Sequence, residues 1–146
     1  MTPGIEHLNQ TEKEWLYLVI WKLIISDGWV SPEESTIFID ALNWVTKDEM
    51  TAIEEKAGSI GDEIPIEPLA DLDHKKAGTM LCEIIRIAAI DGVLALGEVK
   101  IIEQAAKLLH FDTETELNAL KLAQQYANLN KERMHFVRDL KKHFTK

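Results

Sequence analysis

Apolar positions along this chain recur at helical spacing, and nowhere at the spacing of a strand. Leu16, Leu18, Val19, Ile20, Trp21, Leu23, Ile24 and Ile25 leave almost no polar face in one stretch. Met80, Leu81, Ile84, Ile85, Ile87, Ala88, Ala89 and Ile90 repeat the pattern in a second, broken only by Glu83 and Arg86. A helix that is apolar nearly all round belongs at the centre of a bundle rather than at its edge. No segment alternates apolar and polar with period two for long enough to make a strand.

Helix starts are marked as well. Thr11-x-x-Glu14, Ser31-x-x-Glu34, Thr46-x-x-Glu49 and Thr113-x-x-Glu116 have the form of capping boxes, and Pro32 falls at a first helical position, where a missing N–H costs nothing. Together these signals predict seven helices, near 11–26, 32–45, 47–57, 74–90, 96–109, 114–128 and 131–144. Gly58–Pro68 (GSIGDEIPIEP) reads as the one real loop. The expected fold is all-α, a single domain over residues 1–146. Two similar helical hairpins, about 11–57 and 74–128, surround two central apolar helices, with Trp29, Phe38, Trp44 and Leu108 closing the sides.

Each central helix runs into the same acidic phrase. Residues 27–34 read DGWVSPEE and residues 91–98 read DGVLALGE, so Asp-Gly-x-[Val/Leu]-x-x-x-Glu occurs twice with its copies 64 positions apart. Turn chemistry accounts for much of it: glycine takes the left-handed conformation, aspartate makes an Asx turn, and glutamate suits the first turn of the next helix. That account is weaker for the second copy, where Ala95 replaces Ser31 and offers no capping oxygen, yet the glutamate remains. Asp27 and Asp91 also stand at helix carboxyl ends, where the helix dipole opposes negative charge.

The phrase matches the second half of an EF-hand loop, but Leu23, Ile25, Ile87 and Ala89 occupy the first-half ligand positions, so neither copy is an EF-hand. If the two turns meet, Asp27, Glu34, Asp91 and Glu98 form a four-carboxylate, oxygen-only site suited to Ca²⁺, Mg²⁺ or Mn²⁺.

The stretches IISDGWVSPEES and AAIDGVLALGEVKII, each joining a central apolar helix to the next, resemble the TerB-like family of tellurite-resistance proteins over roughly residues 11–128. That resemblance implies an all-α bundle with a duplicated core, in a bacterial setting of resistance to tellurite and other stresses. It also implies membrane-protein and calcium-binding partners, and metal binding by the motif acids. The motif falls on Asp27, Gly28, Glu34, Asp91, Gly92 and Glu98, and the second copy departs from the pattern at Ala95 and Gly97.

Charge divides the chain. Net charge is −9, with 16 acids and 4 bases in residues 1–73 and 9 acids and 12 bases in residues 74–146. An acidic protein of this kind disfavours nucleic acid. The last sixteen residues, KERMHFVRDLKKHFTK, hold six bases and two acids, and suit an anionic partner, a membrane surface or the acidic half of the same chain.

The remaining chemistry is sparse. Cys82 is the only cysteine and is expected to be an inert core thiol. His7 is expected in a flexible terminus, His74 at an acid-rich helix start, His110 at a helix end, and His135 and His143 on a solvated face. There is no phosphate loop, nucleophile elbow or paired Cys or His motif, so no catalysis is expected. The amino terminus lacks the form of a signal peptide and Leu16–Ile25 is too short to span a bilayer, so a soluble, cytoplasmic protein is expected. Two functions follow as expectations. One is a non-enzymatic, divalent-metal-responsive stress protein; the other is a metal-free scaffold whose split charge docks another protein, with a membrane-associated partner included.

Overall fold

The computed structural model describes residues 2–25, 36, 40–60, 68–69 and 72–144. Those residues form five α-helices and a short 3₁₀ turn at Ile5–His7, with no strand among them. The helices are α1 (Gln10–Ile25), α2 (Lys47–Ile60), α3 (His74–Ala88), α4 (Leu96–Leu108) and α5 (Thr113–Phe144). The all-helical expectation holds. Most of the helix expected over 32–45 lies outside the described residues.

Local chemistry fixes where each helix begins. At α2 the capping box is as the sequence suggests: the Thr46 N–H donates to Glu49 Oε1 at 3.2 Å, and the Glu49 N–H to Thr46 Oγ1 at 3.1 Å. At α1 the box sits two residues earlier than expected. The Asn9 N–H donates to Glu12 Oε1 (2.8 Å) and the Glu12 N–H to Asn9 Oδ1 (2.9 Å), so Asn9, not Thr11, is the cap. Asp73 caps α3 by accepting the Lys76 N–H at 2.8 Å, and Asp112 caps α5 by accepting the Thr115 N–H at 2.8 Å. Thr113 therefore lies inside α5. The end of α4 is a Schellman turn, in which His110 takes φ +66° while the Phe111 N–H reaches the Ala106 carbonyl at 3.0 Å.

Three boundaries depart from the sequence reading. The helix expected to stop at 57 runs on through Gly58 to Ile60. The two helices expected at 114–128 and 131–144 are one continuous helix of 32 residues. No proline or glycine lies between Thr113 and Phe144 to break it, and Asn130, expected to be in the gap, is instead held by a tertiary hydrogen bond. Finally, the amino terminus is docked rather than loose, with Thr2, Ile5 and Leu8 all buried.

α3 is the central element and touches α1, α4, α5 and the 3₁₀ turn. Leu16, Val19, Ile20 and Leu23 of α1 meet Met80, Ile84, Ile87 and Ala88 of α3 in a single core that also takes in Ile102 and Ala105 of α4. The two apolar helices are therefore both interior, as their composition demands. Trp44 is buried and Leu108 half-buried, while Trp29 and Phe38 lie outside the described residues. α5 packs with a stripe of small residues, Ala119, Ala123 and Ala127, which lets its backbone approach α3 and α4 closely. No described helix is long and apolar enough to cross a membrane.

Candidate functional site

The second acidic turn is well defined. Gly92 has φ +82°, a conformation that glycine alone adopts without strain. A Cβ placed there would lie 3.1 Å from the backbone nitrogen and Cα of Lys131 on α5, so close approach demands glycine as strongly as the dihedral does. Three residues earlier in the chain, the Ala89 carbonyl accepts the Asn130 side-chain N–H at 2.9 Å. The Asp-Gly turn is thus clamped onto the middle of α5.

Its acids serve the turn itself. Asp91 Oδ1 accepts the Val93 N–H at 3.0 Å, an Asx turn. Glu98 is 5% exposed and its Oε1 accepts the Ala95 N–H at 3.1 Å. This is half of a capping box. Ala95 has no oxygen to return the bond, and the glutamate supplies the reaching-back half alone. Asp27, Gly28 and Glu34 of the first copy lie outside the described residues. Among the described residues, no group of three or more His, Cys, Asp or Glu is placed to hold a metal ion.

A second constellation was not singled out from the sequence. Glu83, the charge that interrupts α3, is fully buried. Its Oε1 accepts from Arg86 Nε (2.6 Å) and the Thr2 hydroxyl (2.6 Å), and its Oε2 from Arg86 Nη2 (2.7 Å) and the Trp44 indole (2.6 Å). Arg86 Nη2 also donates to the Ala41 carbonyl at 2.8 Å. The Glu83 hydrogen bonds push the Arg86 pKa up against the opposing effect of burial. A fork-to-fork pair of this kind fixes geometry as well as charge. Because both carboxylate oxygens are engaged, Glu83 suits a structural node and not a general base. An opposite-charge pair at i, i+3 on an otherwise apolar helix was the available signal.

Beside this node is a cleft of about 430 Å³, walled by Gly78, Cys82 and Arg86 on α3, Leu122 and Tyr126 on α5, and Thr2 and Pro3. Cys82 is exposed there, which corrects the expectation of a core thiol. The stripe Gly78, Cys82, Arg86 is the one face of α3 not apolar enough to be covered. Partial burial, together with the Glu83 charge, pushes the Cys82 thiol pKa up, which makes it a weak nucleophile at neutral pH.

The third feature is the exposed end of α5. Every residue from Lys131 to His143 is exposed, in contrast to the buried alanines of its first half. Large apolar side chains are among them: Met134, Phe136, Val137 and Leu140, with Leu129 just before. At 3.6 residues per turn, Leu129, Phe136, Val137 and Leu140 fall within an arc of about 100°. Arg133, Arg138 and Lys141 share an open surface with Met134 and Val137, and among the described residues all of its lining comes from α5. His135 and His143 are exposed as expected, and His74 is exposed at the start of α3.

An all-helical protein with a buried ion-pair node and a projecting amphipathic helix is what these residues define. Compared with family models, curated proteins and solved structures, the chain matches none.

Proposed function

We propose that this protein is a non-enzymatic docking module, a helical body that presents the basic, amphipathic end of α5 to a macromolecular partner. The observation that carries this reading is the uninterrupted exposure of residues 131–143, which include Phe136 at 64% and Met134 at 48%. An isolated helix of about 14 residues is marginal in water. This one continues directly from a docked half, so its nucleation cost has already been met and its apolar side chains are held ready outside the core. The Gly92 clamp and the Asn130 hydrogen bond hold α3 and α5 in register beneath it, while the Glu83 node ties α3 to Thr2 and Trp44. The resemblance to TerB-like stress proteins, a duplicated hairpin with α1 and α3 as equivalent helices, and a soluble cytoplasmic setting form the biological frame of the proposal. All three rest on the sequence.

Site-specific photo-crosslinking in cells tests the reading. A crosslinker at Val137 is expected to yield adducts that are absent when it is moved to exposed Gln104 on α4, and that disappear when Arg133 and Arg138 are both changed to Glu. Equal labelling from both positions would remove the docking role from α5.

A further inference from the structure

We infer that the surface met by the end of α5 is an anionic phospholipid bilayer, an inference that rests on the docking reading above and goes beyond it. On α5 the apolar side chains Met134 and Val137 and the cationic side chains Arg133, Arg138 and Lys141 line one shared surface. That pairing matches an amphiphile with a negatively charged head and a hydrocarbon body. Phe136 and Leu140 extend the apolar strip along the same helix and stand 64% and 41% exposed. Residues 131–144 hold five Lys or Arg against two acids, Glu132 and Asp139. Around the helix Arg133 falls within the apolar strip, Arg138 and Lys141 along one side of it, and Glu132 and Asp139 along the other, so the strip can enter a headgroup layer with its basic side against the anionic heads.

The other occupants fit less well. A second copy pairing through the same helix sets one +3 segment against another. Nucleic acid would satisfy the bases but leave Phe136 and Leu140 in water. The acidic first half of the chain would repel an anionic membrane if it lay close. The five bases beyond Asn130 offset that repulsion locally, because charges further off than about 8 Å are screened at physiological salt.

Vesicle flotation of the full chain is the test, with phosphatidylglycerol–phosphatidylcholine vesicles set against pure phosphatidylcholine. Recovery is expected with the anionic vesicles only and should fall at high salt. Arg133→Glu with Arg138→Glu, and separately Phe136→Ser with Leu140→Ser, should each weaken binding about tenfold or more. All four residues are exposed, and an unchanged melting temperature confirms that each variant folds. No binding to anionic vesicles at low salt overturns the inference, as does binding that either pair of substitutions leaves intact. If the Val137 crosslinker then captures an acidic protein, the docking reading stands and the lipid does not. If it captures nothing, both fall.

Discussion

The side-chain amide of Asn130 donates to the backbone carbonyl of Ala89 across 2.9 Å, joining α5 to the residue at which α3 ends. One turn of chain later, Gly92 presses against the backbone of Lys131 at the same level of α5. The two contacts act together. The carbonyl at the end of α3 accepts both the Gly92 N–H of its own turn (3.1 Å) and a side chain from another helix, and the glycine that reverses the chain leaves room for that helix to come in.

Substitutions at this clamp should therefore be costly out of proportion to their size. Gly92→Ala is expected to cost about 2–3 kcal/mol, from the left-handed dihedral and from the displaced Lys131 backbone. Asn130→Ala should cost about 1 kcal/mol, because it removes the hydrogen bond that ties α5 to the Ala89 carbonyl and leaves that oxygen with the Gly92 N–H alone. Urea unfolding of the two single variants and the double measures both, with a double-variant cost below the sum as the mark of a shared contact.

Glu83 and Arg86 should behave as a unit. Arg86→Ala leaves a buried carboxylate with only Trp44 and Thr2 as donors and is expected to cost about 3 kcal/mol. Changing Glu83 and Arg86 together to Leu should cost less than the two single changes summed, since no unpaired charge then remains. The same denaturant series decides it, and strict additivity would separate the two residues.

The Asp-Gly motifs also make a measurable claim. With Asp91 and Glu98 bonded to amides of their own turn, Glu98→Ala is expected to lower stability by about 1 kcal/mol. Calorimetric titration with Ca²⁺ or Mn²⁺ should give no heat that depends on Asp91 or Glu98. Heat lost in Asp91→Asn would instead restore the four-carboxylate reading with Asp27 and Glu34.

Two titratable groups predict behaviour at high pH. Burial, reinforced by the hydrogen bond to Glu54, pushes the Tyr17 phenol pKa far above its ordinary value, and burial raises the Cys82 thiol pKa. Both groups stay protonated in the folded chain where the unfolded chain would ionise, so the unfolded state gives up protons first. Stability should then fall as pH rises through the ordinary thiol and phenol ranges, about 8.5 and 10. Tyr17→Phe should flatten the upper part of that decline in a melting series against pH. Iodoacetamide should label exposed Cys82 more slowly at neutral pH than it labels the unfolded chain.

Hydrogen exchange should divide α5 in two. Amides around Ala119, Ala123 and Ala127 are expected to exchange only through larger openings, and those beyond Lys131 much faster, because the side chains there are exposed rather than buried. Anionic vesicles should slow the second group selectively.

How far the sequence could foretell this follows from the range of each contact. Apolar patterning placed α1 and α3 in the interior because burial of a whole helix is written in its own composition. Gly92 was visible as a turn, but the partner that makes it indispensable is 39 positions away, and no local pattern names Lys131. Asn130 fell between two expected helices, and the partner that holds it, Ala89, is about as remote. Glu83 and Arg86 were visible only as interruptions of an apolar run. Their meaning depends on Thr2 and Trp44, which reach the same point from two other parts of the chain. Cys82 was misjudged for a related reason: its neighbours in sequence are buried, but its own stripe faces a gap between α3 and α5.

The continuity of α5 makes the molecule a lever with its fulcrum near residue 130. The inner arm, with Ala119, Ala123 and Ala127, is wedged into the body, and the outer arm stands exposed from Lys131 to His143. A load applied at Phe136 or Leu140 is delivered at the fulcrum to the Ala89 carbonyl and the Gly92 bend, so whatever grips the tip also pulls on the corner that carries Asp91.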